Sequence, residues 1–367
     1  MVGPGTSRSI AIRVSGMELS LFFTVVRMAK AASVVTMADV ARFAGVSTMT
    51  VSNVINGRPR VGPETRERVL AAIGELGYQV NLAARHLRAG RTGVVGLAVP
   101  ELERPYFAQL AGRLADRFEA HGLRIVTERT GASREGELDA VAFSRLRMYD
   151  GLILSVVDLD PAELGQLRTD APVVMIGERA LPSRFDHVMM DNVDGARQAT
   201  AHRLGTGARR IAMIGGDPGG SATMQALRAE GYALAHTEAG VEVDPELNVR
   251  CAFGLRDGYD AIGALRERGI AFDAVFALTD VVAMGALRAL ADAGLRVPDD
   301  VQVIGFDDID EAAFLVPSLS TVNPGHAEMA DAITRLLTAQ LGSPGGASNE
   351  LVVPARLVLR GTTKPLA

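Results

Sequence analysis

From Val94 onward the chain keeps one rhythm, a short apolar run followed by a longer stretch with helical periodicity. The runs are VVGLAVP, LRIVTERT, GLILSVV, APVVMIG, ARRIAMIGG, AVFALTD and VQVIGFDD, and the amphipathic segments between them reach His121, Tyr149 and Ala239. Apolar strands separated by helices form parallel sheets covered on both faces, because each parallel strand must be followed by a crossover. Two sheets of about five or six strands fit the residues after Val94. Ligands in such folds bind at the carboxyl ends of the strands. Those ends hold Pro100, Ser155, Asp158, Gly216, Asp217, Thr279, Asp280, Asp307 and Asp308, a polar set with no metal-type cluster.

A length of 367 residues leaves room for a small domain ahead of this body. The lone cysteine, Cys251, excludes an internal disulfide framework and fits a reducing cytosol, where it reads as buried filler. The apolar stretch Leu19 to Val26 is too short to span a bilayer and is flanked by Arg13 and Arg27, so no membrane helix is expected. Arg8, Arg13 and the small residues Ala29, Ala31 and Ala32 outline a weak signal peptide, against which Glu18 stands. With Met28 and Met37 further on, residues 1–33 read as a disordered extension or a misplaced start.

The net charge of −5 conceals an asymmetry. Residues 36–91 hold eight arginines against four acids, a surplus of four positive charges. Residues 1–35 are positive by three, which leaves residues 92–367 at −12. A basic head on an acidic body points to a polyanion partner for the head alone.

That head reads TMADVARFAGVSTMTVSNVINGRPRVGPETRERVLAAIGELGYQ, and its punctuation marks three helices. Thr36 and Asp39 make a capping-box start, Val40, Ala41 and Ala44 supply an apolar face, and Gly45 suits a tight turn. Ser47 caps a second helix with Val51, Val54 and Ile55 inside, ended by Asn56 and Gly57. Pro63 opens a third, with Val69, Ile73 and Leu76 as its buried stripe and Gly77 as its close. Two helices joined by such a turn can lay the second in the DNA major groove. Thr48, Met49 and Asn53 are the candidate base readers, Asn pairing with adenine and the others touching a thymine methyl. Thr36, Ser47, Thr50, Ser52 and Asn56 are candidates for phosphate contacts, which fix register without reading sequence. A plain three-helix packing unit is the competing reading. Beyond Gly77, Asn81 caps a segment Leu82 to Arg88 too short to be a stable helix unless something docks it.

The pieces VTMADVARFAGVS, TVSNVIN, VGPETRERVLAAIGELGYQVN and ARHLRAGRTGVVGL resemble the headpiece and hinge of the lactose-repressor (LacI/GalR) family, and the likeness continues to about Thr363. The resemblance implies an N-terminal all-α helix-turn-helix headpiece plus an α/β two-lobed effector domain. That domain would have the periplasmic-binding-protein type I architecture, with doubly wound parallel sheets and three crossovers. The implied organisation is residues 34–80 as DNA-binding domain, 81–92 as hinge, and 93–367 as effector-binding and dimerisation domain. Lobe one would be about 93–190 with 323–353, and lobe two about 191–322 with 354–367. The family's hinge helices pair in the minor groove and insert a leucine, and Leu87 holds that position here. A wedge of this kind kinks the duplex so that it touches more protein. By the same resemblance Arg228, before Gly231 and Tyr232, and Asp307 in GFDD would bind effector hydroxyls or carbonyls. Tyr106 and Phe107 would pack on the ligand, with core packing as the alternative for Phe107 and turn capping for Asp307. The strand end that often reads Asn-Asp in relatives is Thr279-Asp280 here, and Ser155 completes the candidate effector set.

The expected function is a cytoplasmic, effector-controlled repressor acting as a homodimer on a pseudo-palindromic operator, with no cofactor beyond a sugar-like effector. A solute-binding protein of transport or chemotaxis shares the two-lobed body and is the first alternative. An enzyme is the second. The sequence has no nucleophile elbow and no zinc spacing, GGDPGG at 215–220 lacks a phosphate-loop ending, and His121 and His202 read as solvated or capping residues. A C-terminus of only KPLA after Thr363 offers no leucine heptad for a tetramer.

Overall fold

A computed structural model describes residues 35–55, 57–78, 91–167, 169, 171–178, 184–218, 223–343 and 348–366. The N-terminal extension, Asn56 and the segment Leu82 to Arg88 with Leu87 lie outside the described residues. The chain divides into two compact units, one up to Arg85 and one from His86.

The first unit holds helices α1 (Met37–Ala44), α2 (Thr48–Ile55) and α3 (Pro63–Leu76). Its local grammar is as expected. The Thr36 hydroxyl accepts from the Asp39 amide, and the Asp39 carboxylate accepts from the Thr36 amide at 3.0 Å, a reciprocal cap. Gly45 turns the chain in the left-handed region at φ 64°, where a side chain would be strained. Val40, Ala41, Val51, Val54, Val69 and Ala72 form the core. Ala44, Ile55, Ile73 and Leu76, expected inside, only flank it, and Ala72 takes a buried place.

The second unit contains two parallel sheets. Strands β1 (Val94–Val99), β2 (Arg124–Arg129), β3 (Gly151–Val156), β4 (Val173–Gly177), β5 (Asp186–Met190) and β11 (Glu350–Val353) form the larger, in the order β11-β5-β4-β3-β1-β2. The smaller has β7 (Asn248–Val249), β6 (Ile211–Ile214), β8 (Ala274–Ala277) and β9 (Gln302–Ile304) as neighbours in that order. It has four strands rather than five or six because its further edge is single bonds, a bridge from Ile304 to Ser320 and Val303 N–H donating to Thr362 at 2.9 Å. Strands β10 (Thr321–Asn323) and β12 (Arg356–Val358) pair antiparallel where the chain passes between the sheets.

Helices cover the sheets because their central strands β1, β3, β4, β5, β6 and β8 are buried almost throughout and each crossover must return along the sheet. After the short α5 (Arg134–Ala140), α6 (Phe143–Leu146) and α7 (Pro161–Gln166), which follow α4 (Pro105–Glu119), come α8 (Asn192–Gly205), α9 (Met224–Glu238), α10 (Leu255–Glu267), α11 (Asp280–Asp292) and α12 (His326–Gly342); α4 and α8 to α12 position the site. α8 and α9 approach so closely that a Cβ on Gly231 would stand 2.1 Å from the Val193 carbonyl oxygen. Only glycine fits there, and this approach sets the height of Arg228 one turn earlier on α9.

Candidate functional site

In the first unit, Ser47 caps α2 by accepting from the Thr50 amide at 3.1 Å, and the two hydroxyls share a 2.9 Å hydrogen bond. Val51 and Val54 turn inward, so Thr48 and Met49 stand exposed and Asn53 is half-buried. Met49 is 68% exposed, an apolar side chain available for contact outside the core. Thr36 uses its hydroxyl to donate to Asp39 at 2.6 Å, and Ser52 is half-buried beside the readers.

In the second unit, groups from both sheets converge at strand carboxyl ends. Arg228 is 2% exposed. Its Nε donates to Asn192 Oδ1 at 2.8 Å, Nη1 to the Leu278 carbonyl, and Nη2 to Met190 Sδ at 3.5 Å. Nη2 also lies 3.6 Å from Asp307, and the guanidinium sits 3.4 Å from the Phe306 ring centroid. The arginine and aspartate expected to face a ligand are therefore also paired with each other.

Two consecutive non-glycine residues, Asp307 at φ 119° and Asp308 at φ 50°, adopt positive φ in the GFDD turn. Such strain persists only where surrounding bonds enforce it. Asp308 supplies them, accepting from Arg360 and from Asn323, each at 2.7 Å. Asp307 is thereby aimed at Arg228. Burial lifts the Asp307 carboxyl to about 7, against the pull of Arg228 and Arg104.

Tyr106, in the first turn of α4, is buried, with its hydroxyl donating to Met329 Sδ at 3.6 Å and its ring 5.4 Å from that of His326. His326 donates through Nε2 to the Asp307 carbonyl, which leaves Nδ1 as an unpartnered acceptor. Phe107 packs edge-on against Tyr106 at 5.0 Å and is half-buried. Ser155 lies buried near the end of β3.

Two expected ligand contacts take other parts. Asp280 is fully buried, and its two oxygens accept from the Ile309 amide at 3.0 Å and the Thr321 hydroxyl at 2.5 Å. It holds the turn after β9 together instead of facing a ligand. Burial, with Asp307 adding to it, raises its pKa. Thr279 caps α11, accepting from the Val282 amide at 3.2 Å. The strand-end rule located both correctly but does not fix which way a side chain turns.

The structure adds residues that the sequence reading passed over. Glu178 follows β4, one residue past the APVVMIG run, and its Oε2 is enclosed without a partner among the described residues. Burial raises its pKa while Arg228, Arg104 and Asn192 oppose the rise. Arg104, before α4, lies 4.7 Å over the ring of Phe253, before α10, and pairs with Glu101. Asn192 starts α8. A run of MIGE and the pair DN after a strand were the available signals.

His202 is buried against the Lys364 carbonyl at 3.2 Å, not solvated, and His121 is exposed. Burial pushes the half-buried Cys251 thiol up to about 11, which keeps it protonated and inert at neutral pH. Among the described residues no group of three or more His, Cys, Asp or Glu could hold a metal, and no helix is long and apolar enough to cross a membrane.

Residues 36–81 match the model for bacterial regulatory proteins of the lacI family, and residues 200–363 that for the periplasmic binding protein-like domain. The ribose operon repressor of Halalkalibacterium halodurans is 35% identical over 329 residues, covering 90% of this chain and 97% of that protein. The solved complex of the transcriptional regulator CelR with cellobiose is 32% identical with a TM-score of 0.66, covering 89% of this chain and 99% of that one. The lac repressor dimer bound to operator and the anti-inducer ONPF is 27% identical with a TM-score of 0.74, covering 90% and 99%. The headpiece, the two-sheet body and a relative of this identity along nearly its whole length place the chain in the LacI family of bacterial transcriptional regulators.

Proposed function

We propose that this regulator is a cytoplasmic homodimeric repressor that grips a pseudo-palindromic operator and is controlled by a sugar-like effector held between its two lobes. The observation that carries the effector reading is the convergence of Arg228, Asp307, Glu178 and Asn192, contributed by both sheets, at the strand carboxyl ends. Polar groups of both signs beside Tyr106, Phe107 and Phe253 suit a ligand with many hydroxyls and an apolar face. Ribose in the name of one relative and cellobiose in the complex of another favour that class. We assign this regulator no metal or prosthetic group, and the named relatives are regulators.

In this reading Thr48, Met49 and Asn53 read bases, Thr36, Ser47, Thr50, Ser52 and Asn56 touch phosphates, and Leu87 is the minor-groove wedge. A single headpiece offers few base contacts, so specific binding calls for two. Leu255, Phe314 and Val316 are 53%, 85% and 99% exposed, apolar surface of a kind that a second subunit covers. The relative solved on its operator is a dimer. Effector binding would change the angle between the lobes and so the fit of the two headpieces.

Selection of genomic fragments by the purified chain tests the DNA half, and failure to prefer any fragment over scrambled duplex overturns it. A thermal-shift panel of sugars, nucleosides and purines tests the effector half, since a ligand at a hundred times its dissociation constant adds about 2.7 kcal/mol. Analytical centrifugation showing only monomer at micromolar concentration, with and without operator, would remove the dimer.

A further inference from the structure

We propose that Glu178, working beside Asn192, decides which effectors the cleft accepts: it receives a hydroxyl of an uncharged polyhydroxy ligand and turns away anionic counterparts. The inference rests on the effector reading above and adds a residue and a charge rule to it.

Glu178 stands at the carboxyl end of β4, within reach of the fields of Arg228 and Arg104. Its enclosed Oε2 has no hydrogen-bond partner among the described residues. A buried carboxylate oxygen left in that condition is costly, and in native proteins such a group usually has a role that satisfies it. Asn192 presents the complement. Its Oδ1 accepts from Arg228, which orients the amide, and its Nδ2 lies near enough to Glu178 to pull that carboxyl's pKa down while finding no acceptor in good hydrogen-bond geometry among the described residues. An open acceptor next to an open donor fits a hydroxyl, which both donates and accepts, or two hydroxyls on adjacent carbons.

The same arrangement disfavours anions. The Nε, Nη1 and Nη2 atoms of Arg228 all have protein partners, and its face rests on Phe306. Arg104 is tied through Nε to Glu101 and stacked over Phe253. A phosphate or carboxylate would be brought against the Glu178 carboxyl while the three guanidinium nitrogens of Arg228 already have partners. Like charges brought together in a low-dielectric site discriminate strongly, which makes Glu178 a device against the wrong ligand as well as for the right one.

The test measures binding of ribose, glucose and cellobiose to the full-length chain by thermal shift and calorimetry, against ribose 5-phosphate, glucose 6-phosphate and glucuronate. At least one neutral sugar is expected to bind, with its anionic counterpart weaker by about a hundredfold. Glu178→Gln, which keeps the shape and removes the charge, is expected to weaken the neutral sugar by about tenfold and to shrink the discrimination to less than about tenfold. Glu178→Asp keeps the charge and is expected to keep the discrimination, and the melting temperature of each unliganded variant reports whether it folds. Wild-type preference for the anionic compound, or discrimination untouched in Glu178→Gln, overturns the proposal while leaving the effector reading in place. No response to any sugar removes both.

Discussion

Arg104 and Phe253 meet across the two lobes, the guanidinium carbon of the first 4.7 Å from the ring centroid of the second. Arg104 precedes α4, over the six-stranded sheet, and Phe253 precedes α10, beside the four-stranded one. A cation over a ring face is worth about 1 kcal/mol when partly exposed. Arg104→Ala, Phe253→Ala and the double variant, unfolded in urea, should therefore show a coupling of about 1 kcal/mol. Additivity within about 0.3 kcal/mol would mean that the stacking contributes nothing to holding the lobes together.

Asp307 gives the body a pH dependence of unusual sign. Its carboxyl is raised by burial from 3.8 to about 7, so between these values the folded chain holds a proton that the unfolded chain has lost. Its contribution to stability is full below about pH 4, falls as the pH rises toward 7, and is level above. Asp307→Asn removes the titration. Its unfolding free energy relative to the wild type should rise from pH 5 to pH 8 by a few kcal/mol in urea titrations, on top of a constant offset from the lost pairing with Arg228. A difference that is constant with pH would show that Asp307 does not titrate in this range.

The parts legible in the sequence are those fixed by local punctuation or by period. The Thr36 and Asp39 cap, the turn at Gly45 and the buried Val51 and Val54 follow from side-chain chemistry within a few residues. The rhythm of apolar runs fixed the parallel sheets, since β1, β3, β4, β6 and β8 each lie inside a run read as a strand. What stayed hidden depends on distant residues. Whether Asp280 faces a ligand is decided by Ile309 and Thr321, 29 and 41 residues away. Glu178 was missed because nothing in its neighbourhood shows that Arg228 and Asn192 will stand opposite. The edge of the smaller sheet was overcounted because Ser320 and Thr362 join it by single bonds that leave no alternation in sequence.

Arg203 on α8 is fully buried, with Nε and Nη1 unpartnered and Nη2 donating to the Ala199 carbonyl. Burial lowers its pKa to about 9, and Tyr232 is the opposing influence. A charge removed from water without a carboxylate or full hydrogen bonding is destabilising, and an unbranched apolar side chain of similar length would fill the same space. Arg203→Met is expected to raise stability by about 1–4 kcal/mol in urea unfolding. A loss of stability would assign Arg203 a partner that balances its charge.

Met49 tests the reading of the headpiece. It is 68% exposed on a helix whose inner positions Val51 and Val54 are buried, so its side chain does nothing for the core. Contact with a thymine methyl would give it a use, and such a contact carries sequence information while adding no charge. Met49→Ala should weaken binding to the selected operator by about 1–3 kcal/mol, leave scrambled duplex unchanged and keep the same salt slope. Leu87→Ala should behave alike, because a wedge acts only where the duplex kinks favourably. Arg60, exposed in the loop before α3, should do the opposite. Its replacement by alanine would weaken operator and scrambled duplex equally and lower the salt slope by about one. Fluorescence anisotropy over a range of salt separates the two patterns. If Met49→Ala weakens both duplexes to the same degree, α2 lies against the phosphates and another element reads the bases.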